Sequence, residues 1–238
     1  MTPPWVDKLK RWEKGRDETL AKALMAEPTK TTILKCIPFP GVVLIMGARG
    51  SGKTGLAYEI MSQFHGRRRL SGAILTPRVL PRNVKQLLPD WVQPVTDVSQ
   101  LPRNAVVVID EAAQIAHARR SQSALAISLD NLVSMSRQRR QLILFLSHHS
   151  RKLDVHLVHD SDRIVWKQPT EAHALFERDE LQLFTRKALA FFEGVSGAKA
   201  RMKATYVMDL HHLKFYSFSN RLPRWWHEQF SSMFESLR

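Results

Sequence analysis

One cysteine, Cys36, is all that the 238 residues contain. No internal disulfide can form, a disulfide-stapled secreted scaffold is excluded, and the thiol reads as a buried structural group. No apolar run approaches the roughly 18 residues that a membrane-spanning helix needs. Met1-Thr2-Pro3-Pro4-Trp5 lacks the apolar stretch of a secretory leader, so an intracellular location is expected. The chain has no internal repeat and no low-complexity tract. Of the ten histidines, His148, His149, His156 and His159, with Asp154 between them, match no tight ligand spacing, and His211-His212 reads as a turn rather than a metal site. Acidic residues are scarce: 22 Asp and Glu face 36 Lys and Arg, for a formal net charge of +14 and a pI near 10.3. That imbalance points to a polyanionic partner, nucleic acid first, with an acidic protein or membrane surface as the other reading. The cations gather at Lys8, Lys10 and Arg11; Arg67, Arg68 and Arg69; Arg119 and Arg120; Arg137, Arg139 and Arg140; and Arg151 and Lys152.

What the chain does have is a complete phosphate loop. Gly47 to Thr54 read Gly-Ala-Arg-Gly-Ser-Gly-Lys-Thr, directly after the apolar run Val42-Val43-Leu44-Ile45-Met46. A triphosphate has to be wrapped by backbone N–H groups, and side chains at Gly47, Gly50 and Gly52 would obstruct that approach. Gly47, Ala48, Arg49, Gly50, Ser51, Gly52, Lys53, Thr54 and Gly55 are therefore the expected nucleotide-binding residues. Lys53 reaches the β- and γ-phosphates, and the Thr54 hydroxyl is a Mg²⁺ ligand. A helix starting near Lys53, with Leu56, Ala57, Ile60, Met61 and Phe64 on its inner side, points the positive end of its dipole at the phosphates.

A hydrolase also needs an acid for the metal and a base for water. Val106-Val107-Val108-Ile109 reads as a central parallel strand buried on both faces, delivering Asp110 and Glu111 to its C-terminal tip, where open α/β sheets bind ligands. Asp110 is then the Mg²⁺ acid and Glu111 the water-positioning base. A carboxylate beside the metal acid favours an ATPase of the additional-strand, catalytic-glutamate type over a small-molecule kinase. Leu142-Ile143-Leu144-Phe145-Leu146, followed by Ser147 and His148, fits the inserted strand that carries a polar sensor beside the γ-phosphate.

Around this core, residues 3 to 26 read as an amphipathic helix with Trp5, Leu9, Trp12, Leu20 and Leu24 on one side, weakened by Gly15 and closed by Glu27-Pro28. Its basic face suits docking on the core, on a neighbouring subunit or on a membrane surface. Ser71 to Thr76 reads as a strand, Pro81 to Leu88 as a helix and Arg163 to Lys167 as a core strand. A helix through Leu125, Leu129, Leu132 and Val133 ends at Arg137 to Arg140. Ala204 to Asp209 and Leu213 to Phe218 read as paired strands. Pro223 opens a helix with Trp226, Phe230, Met233, Phe234 and Leu237 as its stripe. This is an N-terminal helical segment over 1–30 and a single ATPase domain over 31–238, with its core at about 40–168 and a C-terminal extension at about 200–238.

Gly47 to Thr54, Val106 to Glu111, Ser136 to Arg140 and Leu142 to Ser147 together resemble the FtsK/HerA superfamily of DNA-pumping ATPases. Their order and spacing resemble its compact viral branch, the genome-packaging ATPases of membrane-containing icosahedral viruses. The resemblance spans roughly residues 40 to 168, and Leu222 to Trp226 is also similar to a closing element of small members. It implies a RecA-like α/β core with a mostly parallel central sheet, ATP and Mg²⁺ as cofactors, a homo-oligomeric ring, and movement of double-stranded DNA without sequence specificity. It also implies a capsid or membrane-associated vertex protein as docking partner, in host cytoplasm or on the virion. Relatives commonly place Gln after the sensor strand, where this chain has Ser147-His148. A ring calls for arginines that reach a neighbour's γ-phosphate. Arg137, Arg139 and Arg140 are the first candidates, expected near the active edge of the sheet, with Arg119 and Arg120 second. A zonula-occludens-toxin-like assembly factor and a plasmid or conjugative DNA motor are the alternative readings.

Overall fold

The computed structural model describes residues 18–76, 78–110, 132–148, 150, 153 and 155–230. Its strands are β1 (Thr29–Lys30), β2 (Gly41–Gly47), β3 (Ser71–Leu75), β4 (Val92–Val95), β5 (Ala105–Ile109), β6 (Gln141–Ser147), β7 (Arg163–Lys167), β8 (Ala204–Asp209) and β9 (Lys214–Ser219). They form one nine-stranded sheet in the order β1-β9-β8-β7-β2-β6-β5-β3-β4. Among the described pairings only β8 runs against its neighbours. The strand that sequence places between the phosphate-loop strand and the Asp110 strand is there: β6 pairs with β2 on one side and β5 on the other.

The β-branched and aliphatic runs of β2, β5 and β6 are buried along their whole lengths. Both faces of the sheet are covered, which is why these runs do not alternate apolar with polar. On one face Val43 and Ile45 meet Leu56, Ala57, Ile60, Met61 and Phe64 of the helix Lys53–Arg68. On the other, Val42, Leu44 and Met46 share a core with Leu132, Leu157, Leu181, Ala188 and Phe192.

In chain order the described helices are α1 (Glu18–Met25), α2 (Ile33–Cys36), α3 (Lys53–Arg68), α4 (Arg82–Lys85), α5 (Val155–His159), α6 (Glu171–Phe176), α7 (Asp179–Glu193) and α8 (Ala198–Lys203). The described end of the N-terminal helix docks on the core: Ala23 and Leu24 pack against it, and Lys187 Nζ of α7 donates to the Leu24 and Ala26 carbonyls at 2.6 and 2.8 Å.

Several expectations need correction. The helix expected over Pro81 to Leu88 is helical only over α4 and continues as turns. Strand β4 is absent from the sequence reading because Pro94 sits inside it. As the outermost strand it tolerates a residue that cannot donate to the ladder. Pro223 opens no α-helix among the described residues: residues 224–225 form a turn and Glu228–Phe230 a single 3-10 turn. Trp225 and Phe230 pin that segment to Tyr58 of α3 instead. The Tyr58 ring stacks on Trp225 with centroids 5.1 Å apart, Phe230 is fully buried, and Trp225 Nε1 donates to Ser62 Oγ at 2.8 Å. Met233, Phe234 and Leu237, the helix from Leu125 to Leu129, and Trp5 to Trp12 lie outside the described residues.

Candidate active site

The phosphate loop leaves β2 at Gly47 and turns into α3 at Lys53, as sequence predicts. A Cβ on Gly47 would overlap the Lys167 carbonyl oxygen on the adjacent strand β7, so only glycine lets the loop start here. Gly52 caps α3 at φ +90°, a left-handed conformation that favours glycine. Lys53 is buried, and its Nζ donates to the Gly47 and Ala48 carbonyls at 2.9 Å each. It also lies 3.3 Å from His148 Nδ1. An ammonium has donors only, so any hydrogen bond between them has Nδ1 as acceptor.

At the tip of β5, buried Asp110 accepts a hydrogen bond from Thr54 Oγ1 at 2.8 Å. Ser147 is buried at the end of β6, in register with Met46. Lys53, Thr54, Asp110, Ser147 and His148 thus converge at the C-terminal edge of three adjacent strands. Glu111, His149, Arg119, Arg120, Arg151, Lys152 and Asp154 lie outside the described residues. Ser150 and Leu153, beyond the sensor strand, bond the two residues that link α6 to α7: Ser150 Oγ donates to Glu177, and Arg178 Nη2 donates to the Leu153 carbonyl at 2.5 Å.

The residues present fit ATP and a divalent cation. Ser51 Oγ is buried in the loop without a hydrogen-bond partner among the described residues, as expected of a hydroxyl that a phosphate oxygen would satisfy. The Thr54 hydroxyl and the Asp110 carboxylate are the hard oxygen donors that Mg²⁺ prefers, already oriented towards each other.

Arg137, Arg139 and Arg140 are not at this edge. They precede the first residue of β6, and Arg140 and Arg139 accept backbone hydrogen bonds from Ala105 and Asn104 at the start of β5. Seven strand residues at about 3.3 Å each separate them from His148, on the order of 20 Å. Arg137 Nη2 pairs with Asp162 at 3.1 Å, and Arg139 Nη2 donates to the Leu101 carbonyl at 2.5 Å. Reading them near the active edge fails because the turn before a parallel strand lies at its N-terminal end, whereas ligands sit at the C-terminal end.

Sequence reasoning assigned no role to Lys167. Its fully buried Nζ donates to the carbonyls of Met202 and Ala204 at 2.6 and 2.7 Å and to Asn220 Oδ1 at 2.8 Å. Burial pushes the ammonium down to about 7. Lys167 thereby fastens α8 and the chain after β9 to the end of β7, the strand beside the phosphate-loop strand. A lysine ending a core strand was the one signal in the sequence. Burial and then the Asp110 charge hold the Tyr58 phenol well above its usual range, so it remains protonated. Sequence does place His211 and His212 correctly in the turn between β8 and β9, where they pair with Asp162 and Asp209 at 3.0 and 2.9 Å.

This arrangement, with β6 inserted between the phosphate-loop strand and the Asp110 strand, is that of a RecA-like P-loop ATPase. Residues 43–169 match the AAA family, the ATPases associated with various cellular activities, and the chain belongs to that family. A comparison with curated protein sequences found no significant match. Among solved structures, the genome-packaging NTPase B204 of Sulfolobus turreted icosahedral virus 2 in complex with AMPPCP is similar, with a TM-score of 0.52 at 15% identity, covering 77% of this chain and 100% of that one. The same NTPase in complex with ATP-gammaS has a TM-score of 0.51 at 14% identity, covering 77% and 99%. At that identity the likeness is one of fold, and it agrees with the resemblance to viral packaging ATPases drawn from the motifs. Family and fold make the protein an ATPase.

Proposed function

We propose that this ATPase drives double-stranded DNA through a homo-oligomeric ring and packages a viral genome, docked on a capsid or membrane-associated vertex protein. The observation that carries the DNA assignment is where the positive charge lies. Arg67, Arg68 and Arg69 end α3, Arg103 precedes β5, and Arg137 and Arg140 precede β6; all six are exposed. Ser71, Ala105 and Gln141, the first residues of β3, β5 and β6, are in register, so these arginines share the N-terminal edge of the sheet, opposite the nucleotide. In a chain with a formal charge of +14, this group of exposed arginines offers a track for a phosphate backbone on the edge away from the nucleotide.

In this reading the Lys53 ammonium leaves the Gly47 and Ala48 carbonyls for the β- and γ-phosphates. Thr54 and Asp110 hold Mg²⁺, which when bound neutralises charge on the β- and γ-phosphate oxygens. Glu111 orients water, and Ser147 and His148 hold hydrogen bonds to the γ-phosphate or to that water. Arg137 and Arg140 contact DNA. The deciding experiment measures ATP turnover with and without duplex DNA, together with duplex affinity against salt. Turnover should rise with DNA. If about five phosphates are neutralised, the log–log salt slope should lie near −4 to −5. A slope near zero, or turnover indifferent to DNA, would discard the motor in favour of an assembly factor.

A further inference from the structure

The sheet gives the nucleotide a direction. The Lys53–His148 and Thr54–Asp110 contacts place the γ-phosphate and metal end towards β6 and β5, on one side of β2. The nucleoside must then leave the loop on the other side, towards β7 and β8. Because β8 runs against both its neighbours, α8, which leads into it, and the chain leaving β9 both arrive at this same edge. They flank the loop closely. A Cβ at Gly52 would stand 3.6 Å from the Met202 carbonyl oxygen, and a Cβ at Gly55 would stand 2.6 Å from Leu222 Cδ2. Gly55 is thus the residue that admits Leu222 against the first turn of α3.

The Met202 and Leu222 side chains are among the few large apolar side chains left exposed in the described residues, at 49% and 54%. The two segments that carry them are joined to each other and to β7. Lys167 Nζ bonds the Met202 carbonyl, and the Asn220 N–H donates to the Lys203 carbonyl at 2.9 Å, joining the two segments to each other. Half-exposed apolar side chains beside a phosphate loop suit a flat apolar ligand. Every base has a π-face that stacks on apolar or aromatic surface, and a thioether adapts to such a face.

We propose that Met202 and Leu222 form an apolar clamp on the base of the bound nucleoside triphosphate, selecting the larger purine ring over a pyrimidine. The clamp rests on the phosphate-loop reading, and the test separates the two. Equilibrium affinities are measured for ATP, CTP and inorganic tripolyphosphate, using wild type, Met202→Ser and Leu222→Ser. Wild type should bind ATP more tightly than CTP or tripolyphosphate. Each substitution removes several buried methylenes, so ATP affinity should fall roughly tenfold while tripolyphosphate affinity holds. Retained tripolyphosphate binding also certifies a folded loop. Unchanged ATP affinity in both variants, equal loss of ATP and tripolyphosphate, or wild-type ATP and CTP affinities that coincide would each overturn the clamp. Wild type that binds neither ATP nor tripolyphosphate would overturn the phosphate-loop reading, and the clamp with it.

Discussion

Replacing His148 tests the sensor assignment most directly. His148 Nδ1 lies 3.3 Å from the Lys53 ammonium, where the imidazole can only accept through Nδ1 and donate through Nε2. With Nδ1 accepting, the ring offers its Nε2–H as a donor at the edge where the proposed site receives the γ-phosphate. Loss of one such donor costs about 10² to 10³ in kcat, or about 2.7 to 4 kcal/mol of transition-state stabilisation. The contact with Lys53 is long, and in the proposed complex Lys53 turns to the phosphates with or without the imidazole, so ground-state binding should change little. His148→Ala is therefore expected to lower kcat by two to three orders of magnitude with KM within a few-fold of wild type. His148→Gln, with an amide that still donates and accepts, should recover to within about tenfold of wild type. Steady-state phosphate release at saturating ATP, paired with single-turnover measurement, isolates the chemical step. Wild-type turnover by His148→Ala would refute the reasoning. So would a defect confined to KM, which marks uniform binding rather than transition-state contact.

Lys53→Ala should abolish tight nucleotide binding, whereas Glu111→Gln should bind ATP normally and lose on the order of 10² to 10⁴ in turnover; calorimetry and phosphate release separate the two, and wild-type hydrolysis by Glu111→Gln would remove it as the base. Arg137→Ala should weaken duplex binding across all sequences and reduce the salt slope by about 1, read by fluorescence anisotropy; an unchanged slope would take Arg137 off the DNA track. Burial lowers Lys167 from 10.5 to about 7, so between those values the unfolded chain binds more protons than the folded one, and unfolding free energy should rise with pH across that window. Urea melts at a series of pH values should show this rise flattened in Lys167→Met; an identical profile would contradict it. The Cys36 thiol, buried and pushed up to about 12 chiefly by desolvation, should resist alkylation at pH 8 until the protein unfolds, and rapid native labelling would contradict its placement.

The phosphate loop, the Asp110 strand and the sensor strand were legible because each is a local pattern: an apolar run long enough for one buried strand, ending in residues whose chemistry is fixed by type. Burial on both faces explains why such strands show no alternation, and the Gly47 to Thr54 spacing leaves little choice of loop conformation. Helix α7 went unread in the sequence although Leu181, Phe184, Ala188 and Phe192 stand at helical spacing, because it carries no chemistry that draws attention. Strand β4 was obscured by Pro94, tolerated only because that strand is outermost, a property of sheet order rather than of local sequence. The same holds for the arginines: their types suggest an active site, yet only the direction of β6 shows that residues 137–140 lie at its far end. The chain itself determined which residues can bind a triphosphate and where the strands that carry them begin. Tertiary structure alone decided that β8 runs backwards, that Lys167 reaches Met202 and Asn220, and that Leu222 lies against Gly55, because these contacts join segments 35 to 167 residues apart in sequence, and no local propensity encodes such a closure.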